Sequence, residues 1–525
     1  MHFRPVFSAL LAALLVGCCG GCRKPALPER TPAPTTLSPD TIASVHWVGK
    51  RHLDLEADAY YVSRVWSLPE TERLQNQTFD RLSTGLWRLW LGDRAAARIP
   101  AAVLRPLLEE ATLAESYLEV RVATDAPPAF VLATRTSPYY SGVWETNLAI
   151  AAELLTGSPA AADPAQHGWT LQRTNPPGEI EFTRVGNWAV LSVGPAQNSL
   201  AVDIAARIRR DGVPFVSAGT NLWLEASLDP ARLAAVFPAF HLPFSTLNHL
   251  ALSLSGDGAN VITRARLMFA RPFAGSLAAW QLPLPLMHEP LTSFTAARGL
   301  QPLLSGWPLL TKLPLGHLPD QLFLWSLAGS AYQLYLAAPL PAARQCVADL
   351  GDYLMQKGNP WLAAHGYISF DRAADNNGVT WGRLPDIRPF IKFVEDGNGD
   401  AGGWLYAGLL PDQPANRVPP PAGMIQDVLR RTNLVYYDWE VTGPRLQPCL
   451  QLGQTTRLIT RRPQLPLDSA SAAWLAALDP RLGTSATLVT RVSPNELIFY
   501  RRSTLGLTAP ELQFLAGWLE SPQFP

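Results

Sequence analysis

The feature that most limits how this 525-residue chain can fold is an internal repeat. The segment GTNLWLEASLDPARL at 219–233 returns as RTNLVYYDWEVTGPRL at 431–446, and each copy closes on a proline, an arginine and a leucine. Further segments on both sides repeat in the same order. Self-similarity of this kind is typical of a chain that folds as copies of one structural unit.

The remaining matches span almost the whole chain. They are Trp169 with Trp381, Ile180-Glu181-Phe182 with Ile391-Lys392-Phe393, NWAVLSVGP (187–195) with GWLYAGLLP (403–411), PPAFVLATR (127–135) with AYQLYLAAP (331–339), ALSLSGDGANVITRARLMF (251–269) with ATLVTRVSPNELIFYRR (486–502), and SLAAWQLP (276–283) with FLAGWLESP (514–522). We therefore predict two homologous halves, 41–285 and 286–525.

Within each half the pattern indicates an α+β fold. VITRARLMF (261–269) and EIEFTRVGNWAVLSV (179–193) alternate apolar and polar residues, as half-buried antiparallel strands do. The stretches 199–210 and 341–356 carry apolar residues at helical spacing. We expect an antiparallel sheet in each half, with helices packed on one face. A parallel, doubly wound sheet fits less well, because strand and helix do not alternate regularly.

The amino terminus predicts export. Residues 6–16, VFSALLAALLV, are uncharged and too few to cross a hydrocarbon core of roughly 30 Å, but they suit a signal peptide. The next residues, Leu15-Val16-Gly17-Cys18, resemble a bacterial lipobox. That resemblance implies a signal peptide at 1–17, acylation of Cys18, with palmitate an expected acyl group, and a lipid-anchored, proline-rich tether at 18–40. A plain secretory signal and an uncleaved anchor are the alternatives.

The other cysteines do not indicate a redox or metal site. Cys19 and Cys22 form a C-x-x-C motif, but a proline-rich polar stretch follows instead of a helix, and two further zinc ligands are missing nearby. Cys346 and Cys449 lie in segments with helical patterns, about a hundred residues apart. We expect two buried free thiols, although an exported location permits a disulfide.

Charge and motifs exclude several functions. Lys+Arg and Asp+Glu are both 43, and no basic run is present, so nucleic acid is not an expected partner. Residues 397–402 satisfy G-x-G-x-x-G, but a strand-like segment follows them rather than a helix, so we interpret them as an enlarged hairpin loop. Asp396, Asn398 and Asp400 have partial calcium-loop spacing, yet position 12 is Ala407. We predict no cofactor and no metal.

No catalytic constellation is visible either. The nine histidines are scattered, and His241 and His249 are separated by the helix-breaking Pro243. Glu109, Glu110 and Glu115 are typical of a helix surface before they are an acid/base pair. A separate helical segment, GLWRLWLGD, gathers Trp87, Trp90 and Leu91 on one face, which suits core packing better than contact with a membrane or glycan. We therefore assign no catalytic residue.

One resemblance covers most of the mature chain. The segments SVHWVGKRHL (44–53), VWSLPETERLQNQTFDRLS (65–83) and WQLPLPLMHEPLTSFTAARGL (280–300) resemble a group of large, uncharacterised bacterial envelope proteins with export signals. That resemblance implies no activity. We expect a non-enzymatic envelope protein that binds a protein or glycan partner on a surface or a groove between its halves. A glycan or peptide hydrolase with carboxylates between the halves is the alternative, and a solute-binding lipoprotein is a third interpretation.

Overall fold

A computed structural model shows a mixed α+β protein built on one extended antiparallel sheet. The structure describes residues 35–91, 100–123, 127–163, 168–174, 177–195, 199–237, 246–273, 277–305, 313–364, 366–373, 375–382, 387–395, 402–411, 418–460, 464–522 and 524. Its described strands pair edge to edge into a single 20-stranded sheet. The predicted α+β class is confirmed, and the alternating segments at 179–193 and 261–269 are strands.

The strands of the first half are β1 Thr41–Trp47, β2 Ser116–Arg121, β3 Ala129–Arg135, β4 Ala161–Asp163, β5 Gly168–Thr174, β6 Pro177–Val185, β7 Trp188–Gly194, β8 Leu224–Leu228, β9 Leu247–Gly256 and β10 Val261–Phe269. The strands of the second half are β11 Leu291–Arg298, β12 Gln321–Leu327, β13 Leu334–Leu340, β14 Phe370–Arg372, β15 Gly378–Trp381, β16 Phe390–Glu395, β17 Gly403–Gly408, β18 Leu434–Val441, β19 Thr484–Ser493 and β20 Glu496–Ser503.

The α-helices of the first half are α1 Lys50–Leu53, α2 Tyr60–Trp66, α3 Pro69–Leu91, α4 Ala101–Leu113, α5 Pro138–Thr156, α6 Ser199–Asp211 and α7 Pro230–Val236. Those of the second half are α8 Gln301–Leu304, α9 Ala343–Tyr353, α10 Asn359–Ala364, α11 Ala422–Leu429, α12 Thr442–Ile459, α13 Ala470–Leu478 and α14 Ala509–Leu519. A π-helical turn, Leu354–Gly358, continues α9, and short 3-10 turns occupy Ala57–Ala59, Leu284–Leu286 and Asp479–Arg481.

Local sequence signals set several helix ends. Helix α5 begins after Ser137, whose hydroxyl accepts the backbone N–H of Tyr140, and it ends at Gly157, which takes the left-handed conformation that glycine adopts without strain. Helix α14 begins with a capping box, in which Thr508 and Glu511 satisfy each other's backbone N–H groups. These caps position the helices that pack on the sheet.

The two halves have the same strand connectivity. In the first half the strands lie in the order β4-β5-β6-β7-β3-β2-β1-β8-β9-β10, and every neighbouring pair is antiparallel. In the second half the order is β14-β15-β16-β17-β13-β12-β11-β18-β19-β20, again antiparallel throughout. Each strand of the first half thus has a counterpart in the second with the same neighbours.

The pairing registers place most of the matched segments at corresponding positions. Arg135 pairs with Trp188 in the first half, and Pro339 pairs with Trp404 in the second. Two of the matches are displaced on this ladder. Trp169 corresponds to Val379 and not to Trp381, and Phe182 corresponds to Ile391 and not to Phe393. A shift of two residues leaves a side chain on the same face of a strand, so the alternating pattern could not distinguish the two alignments.

Helices cover both faces of each half, so the expectation of a single covered face was wrong. In the first half, α6 packs on one face against Val131 and Val190, while α5 packs on the other near Trp169 and Phe182. In the second half, α11 and α9 lie on the corresponding faces. A sheet buried on both sides needs apolar residues on both sides, which explains why its central strands alternate only weakly.

The halves share more than a boundary. Strands β10 and β20 pair with each other and join the two half-sheets. Helices of both halves, including α3 and α14, contribute to one apolar cluster that contains Leu74, Leu82, Trp474 and Leu512. The segment 277–283 has no regular secondary structure and packs on the core of the second half, whereas its predicted match, 514–522, is largely helical. That one sequence match has no structural counterpart.

Candidate functional site

At the junction of the two halves, none of the described helices covers one of the two sheet faces, which we call open. The described helices that pack on β9 and β19, namely α7 and α12, lie over the opposite face, together with the turn Ala57–Ala59. On the open face, Arg264 of β10 stands directly opposite Tyr500 of β20. Arg264 and Tyr500 hold corresponding positions in the two halves, so the seam between the half-sheets is centred on this pair.

The side chains of this open face, which we call the junction face, are mainly polar and cationic. Arg264 lies over the ring of Tyr500, 5.7 Å from its centroid, and donates to Ser255. Arg266 and Arg502 are each 54% exposed and form ion pairs with Glu496 and Asp257 at 2.6 and 2.7 Å. Exposed ion pairs of this kind contribute little to stability. The junction face is therefore available for contacts with another molecule.

A second feature is a pocket of about 500 Å³ on the α6 side of the first half, which we call the charged pocket. Strand β2 and helix α6 supply its charged groups. Residues 35–38, which belong to the predicted tether 18–40, pack on the folded part and form a wall. Its lining residues are Thr35, Thr36, Leu37, Ser38, Arg121, Asp203, Arg207, Arg210 and Asp211. The wall is held in place because Thr35 and Val216 exchange hydrogen bonds of 3.0 and 2.8 Å.

The floor of the charged pocket is a buried ion network around Glu119, which is 0% exposed. Its carboxylate accepts hydrogen bonds from Thr41 at 2.8 Å, from Tyr117 at 2.7 Å, from Arg121 at 2.7 Å and from Arg207 at 3.1 Å. Such complete pairing is what a buried carboxylate requires. The network fixes both guanidinium groups on the pocket floor.

The acids of the charged pocket are held in their ionised form. Burial alone would raise the pKa of Asp203, but the hydrogen bond from Arg121 and the charge of Arg207 hold that pKa below its usual value. The hydrogen bond from Arg210 lowers the pKa of Asp211. Neither acid has the raised pKa that a general acid at neutral pH needs.

The second half buries its own carboxylates, but under helices and away from this pocket. Burial raises the pKa of Asp438 and of Glu440, which lie on β18. Asp438 accepts from Thr295 at 2.6 Å, and Glu440 accepts from Arg445 at 2.6 Å and from the Ala509 backbone at 2.7 Å. These two acids lie on the sheet face opposite the junction face.

The three glutamates singled out in the sequence all form ion pairs, and only Glu109 lies on an exposed helix surface as expected. Glu110, which is 1% exposed, makes a bidentate pair with Arg51 at 2.7 Å, so its surface assignment was wrong. Glu115 lies 3.1 Å from both His46 and Arg135, and these contacts lower its pKa although burial acts in the opposite direction. Glu109 pairs with Arg105 at 2.7 Å.

Several predicted sites lie wholly or partly outside the described residues. These are Cys18, Cys19 and Cys22, the tether up to residue 34, His241, and the loop 396–401 with its glycines and its acidic positions. Helix α3 includes Trp87, Trp90 and Leu91, whose side chains are also outside the described part. His249 lies on strand β9. Strands β16 and β17 flank the glycine loop and pair directly, which confirms a hairpin instead of a dinucleotide-binding turn.

The cysteines of the folded part are free, as predicted, but Cys346 is buried and Cys449 only half-buried. Cys346 lies in α9 and Cys449 in α12, and both are free. Burial raises the pKa of both thiols, that of Cys449 to about 11. Thiols of this kind are poor nucleophiles at neutral pH. Among the described residues, no group of histidine, cysteine and acidic side chains is arranged to hold a metal ion.

Sequence reasoning missed both the junction face and the charged pocket. The alternation R-x-R in VITRARLMF showed that Arg264 and Arg266 share one face, but not that this face is open. For the charged pocket, Asp203 and Arg207 have the i, i+4 spacing of a helical ion pair, which is a weak signal by itself. Glu119 and Arg207 are 88 residues apart, so no local pattern joins them.

Comparison with known proteins adds little. No protein-family model matches the chain, and no curated protein matches it significantly. Solved structures titled as crystal forms III and I of TP0453 are similar at 10% and 9% identity, covering 47% of this chain and 80% and 79% of theirs, each with a TM-score of 0.21. A TM-score this low supports no argument. In the described part of the chain, no helix combines the length and apolarity needed to cross a membrane.

Proposed function

We propose that this chain is a lipid-anchored protein of the cell envelope that binds an envelope protein or glycan through its junction face. The anchor would be the acylated Cys18, and the part of the tether 18–40 that precedes residue 35 would space the folded part from the membrane. Stable anchoring requires more than one acyl chain, which lipobox processing implies. The activity we propose is binding and not catalysis.

The observation that carries this proposal is the open sheet face at the junction. Most of the sheet is covered by helices on both sides, but here arginines, a tyrosine and small hydroxyl side chains face outward. Arginine and tyrosine are the residue types enriched where proteins bind partners. Met268, which is 37% exposed, adds an apolar contact at the same place.

A photo-crosslinking amino acid tests this proposal directly. Placed at Met268, it is expected to capture a partner from native envelopes, whereas the same group at Val202, which is 68% exposed on α6, is expected to capture none. Analysis of both protein and glycan in the product distinguishes the two kinds of partner. Equal products from both positions, or none from Met268, would contradict the proposal.

A matched pair of arginine variants refines the test. Arg266→Ala removes a 54% exposed arginine from the junction face, while Arg344→Ala removes a 64% exposed arginine with a similar ion pair elsewhere. We expect the first to reduce recovery of the partner at least threefold and the second to leave it unchanged. Circular dichroism should show that both variants fold.

The anchor has its own test. In the full chain, Cys18→Ser is expected to move the protein from the membrane fraction to the soluble fraction and to abolish incorporation of labelled palmitate. Cys22→Ser serves as the control, since only the first cysteine of the lipobox would be acylated. Unchanged labelling in the Cys18 variant would contradict the anchor.

The alternative function is a hydrolase that uses the buried carboxylates of the second half. Their raised pKa values favour it, because general acids in enzymes commonly show such shifts. Their 5% and 0% exposure does not, since a substrate must reach the acid. A screen of envelope glycans and peptides would support this alternative if Asp438→Asn removed an activity while the variant still folded.

We also propose that the two halves arose by duplication of one ten-stranded unit. The shared connectivity and the sequence matches that fall on one ladder support it. Reconstructed ancestral sequences of the two halves provide a test. Their identity should increase toward older nodes, and a constant or falling identity would contradict duplication.

A further inference from the structure

The charged pocket contains charges that have no counterpart at the same ladder positions of the second half. In the second half, Trp325 and Leu327 occupy the ladder positions that Glu119 and Arg121 hold in the first. There the same sheet is packed by aromatic rings beneath α11. Replacing a buried ion network by apolar groups is often neutral or stabilising. The stability of this layer therefore does not by itself require the network.

The pocket presents unused hydrogen-bonding atoms of both kinds. Asp203 accepts both of its guanidinium bonds, at 2.6 and 2.7 Å, on Oδ2, so Oδ1 has no partner among the described residues. Arg121 uses Nε and Nη2 in the network, and Arg210 uses Nε and Nη2 for Asp211. The Nη1 group of each arginine is therefore left as a donor within the described part of the chain.

The overall charge of the site determines what it can hold. Three guanidinium groups, on Arg121, Arg207 and Arg210, are balanced by three carboxylates, on Glu119, Asp203 and Asp211. A dianion or a simple cation would give this partly buried site a net charge, which is unfavourable. A ligand that carries one positive and one negative group would keep it.

The charged groups of the pocket can bind both the acidic end and the ammonium end of such a ligand. The planar guanidinium fork suits the two oxygens of a carboxylate or a phosphate. Asp211 lies at the carboxyl end of α6, where unpaired carbonyl groups favour a cation. An ammonium group near Asp203 and Asp211 would therefore be favoured by both the carboxylates and the helix end.

We infer that the charged pocket binds a small zwitterion, with its acidic oxygens on Arg121 and Arg210 and its ammonium group between Asp203 and Asp211. Two sources in an envelope carry this chemistry, namely a phosphoethanolamine-type head group and the free ends of a short peptide. The wall formed by 35–38 would close one side of the bound molecule. This site is separate from the junction face and does not depend on it.

Calorimetry on the full chain in detergent tests the inference. The zwitterionic probes are glycerophosphoethanolamine and glycylglycine, and the matched probes that lack the amine are glycerophosphoglycerol and N-acetylglycine. We expect one zwitterion to bind at least tenfold more tightly than its amine-free match. Preference for the first indicates a head group, and preference for the second indicates a peptide end. Equal binding of the amine-free match, or no binding of any probe, overturns the inference.

Two neighbouring arginines on α6 supply the control. Arg210 lines the pocket and is 70% exposed, whereas the exposed Arg209 does not line it. Both variants, Arg210→Gln and Arg209→Gln, should fold. The first is expected to weaken binding at least threefold and the second to leave it unchanged. An equal effect of both variants would assign the binding to general surface charge and overturn the site.

Discussion

The two halves of this protein build the same ladder but bury charge on opposite faces of it. In the first half, Glu119 and its arginines lie on the α6 side, where the second half places Trp325 and its aromatic neighbours. On the other side the relation is reversed, since Asp438 and Glu440 of the second half stand where the first half has alanine and leucine.

This difference shows that the shared strand order determines where a layer of side chains is buried against the sheet, but not whether those side chains are apolar or charged. The sheet is held by backbone hydrogen bonds, which are the same whatever the side chains are. Each layer above it then has to be consistent within itself, either apolar throughout or with every charge paired. A buried layer at a given position can therefore be either apolar or a paired ion network. Each half has one layer of each kind, on different faces.

The largest expected loss of stability comes from disrupting one buried ion network and one buried apolar layer. Glu119→Ala removes the buried carboxylate that Arg121, Arg207, Thr41 and Tyr117 share, and Trp325→Ala opens a cavity at the corresponding position. Each change should lower the free energy of unfolding by about 3–5 kcal/mol. Urea unfolding measures both. The double variant Glu119→Leu with Arg207→Leu should recover most of the loss, because an apolar layer replaces the network. If the double variant were as unstable as Glu119→Ala, an apolar layer could not replace the ion network at this position.

A smaller effect is expected where the two halves agree. Gly168 and Gly378 hold corresponding positions at the starts of β5 and β15, and a Cβ atom added to either would lie 1.8 or 2.0 Å from a carbonyl oxygen of the neighbouring strand. Each glycine-to-alanine change should cost about 1–3 kcal/mol, because backbone must move. Thermal unfolding compares them with Gly142→Ala, where the added atom meets nothing. A loss confined to one half would weaken the comparison.

The halves should also respond oppositely to acid. Asp203 has a lowered pKa, so its stabilising contribution is present above the pKa of the unfolded chain and is lost as the pH falls. Asp438 has a raised pKa, so its contribution is present at low pH and is lost as the pH rises through that raised value. Asp203→Asn should therefore destabilise the protein at pH 7, by only about 1 kcal/mol because solvent screens this 41% exposed carboxylate, and the loss should shrink as the pH falls.

The matched variant Asp438→Asn should behave the other way. At pH 7 it removes a buried charge and should stabilise the protein or leave it unchanged, and at low pH its effect should disappear. Denaturant unfolding of both variants and the parent chain across pH 3–8 gives the comparison. Parallel pH profiles for the two variants would show that the two layers do not differ electrostatically.

The smallest effect is expected at the junction face. Arg264→Ala removes an exposed side chain that contacts Tyr500 and Ser255, and it should change the free energy of unfolding by no more than about 0.5 kcal/mol. The same measurement on the buried Arg298, which donates to the Leu434 backbone at 2.7 Å, should give a much larger loss. A large effect of the Arg264 variant would make the junction face a structural element.

Much of the fold was predictable because its signals are local. The strands at 179–193 and 261–269 follow period-two alternation, and α6 follows helical periodicity over nearly the predicted range. The second covered face was not predictable, since an alternating strand does not state what packs above its polar residues. The burial of Glu110 was missed because its partner, Arg51, is 59 residues away.

What the sequence alone determined is the set of elements and, through its repeated segments, a division into two parts. These depend on residues within a few positions of one another, where spacing decides conformation. Only the tertiary structure decided which face of each half carries charge and which face stays open. Those outcomes depend on pairs such as Glu119 with Arg207 and Arg264 with Tyr500, which meet because strands and helices far apart in the chain share one sheet. The free-energy cost of burying a polar side chain depends on the partners that surround it. The same local sequence pattern can therefore lie in a core, in a pocket or on a surface.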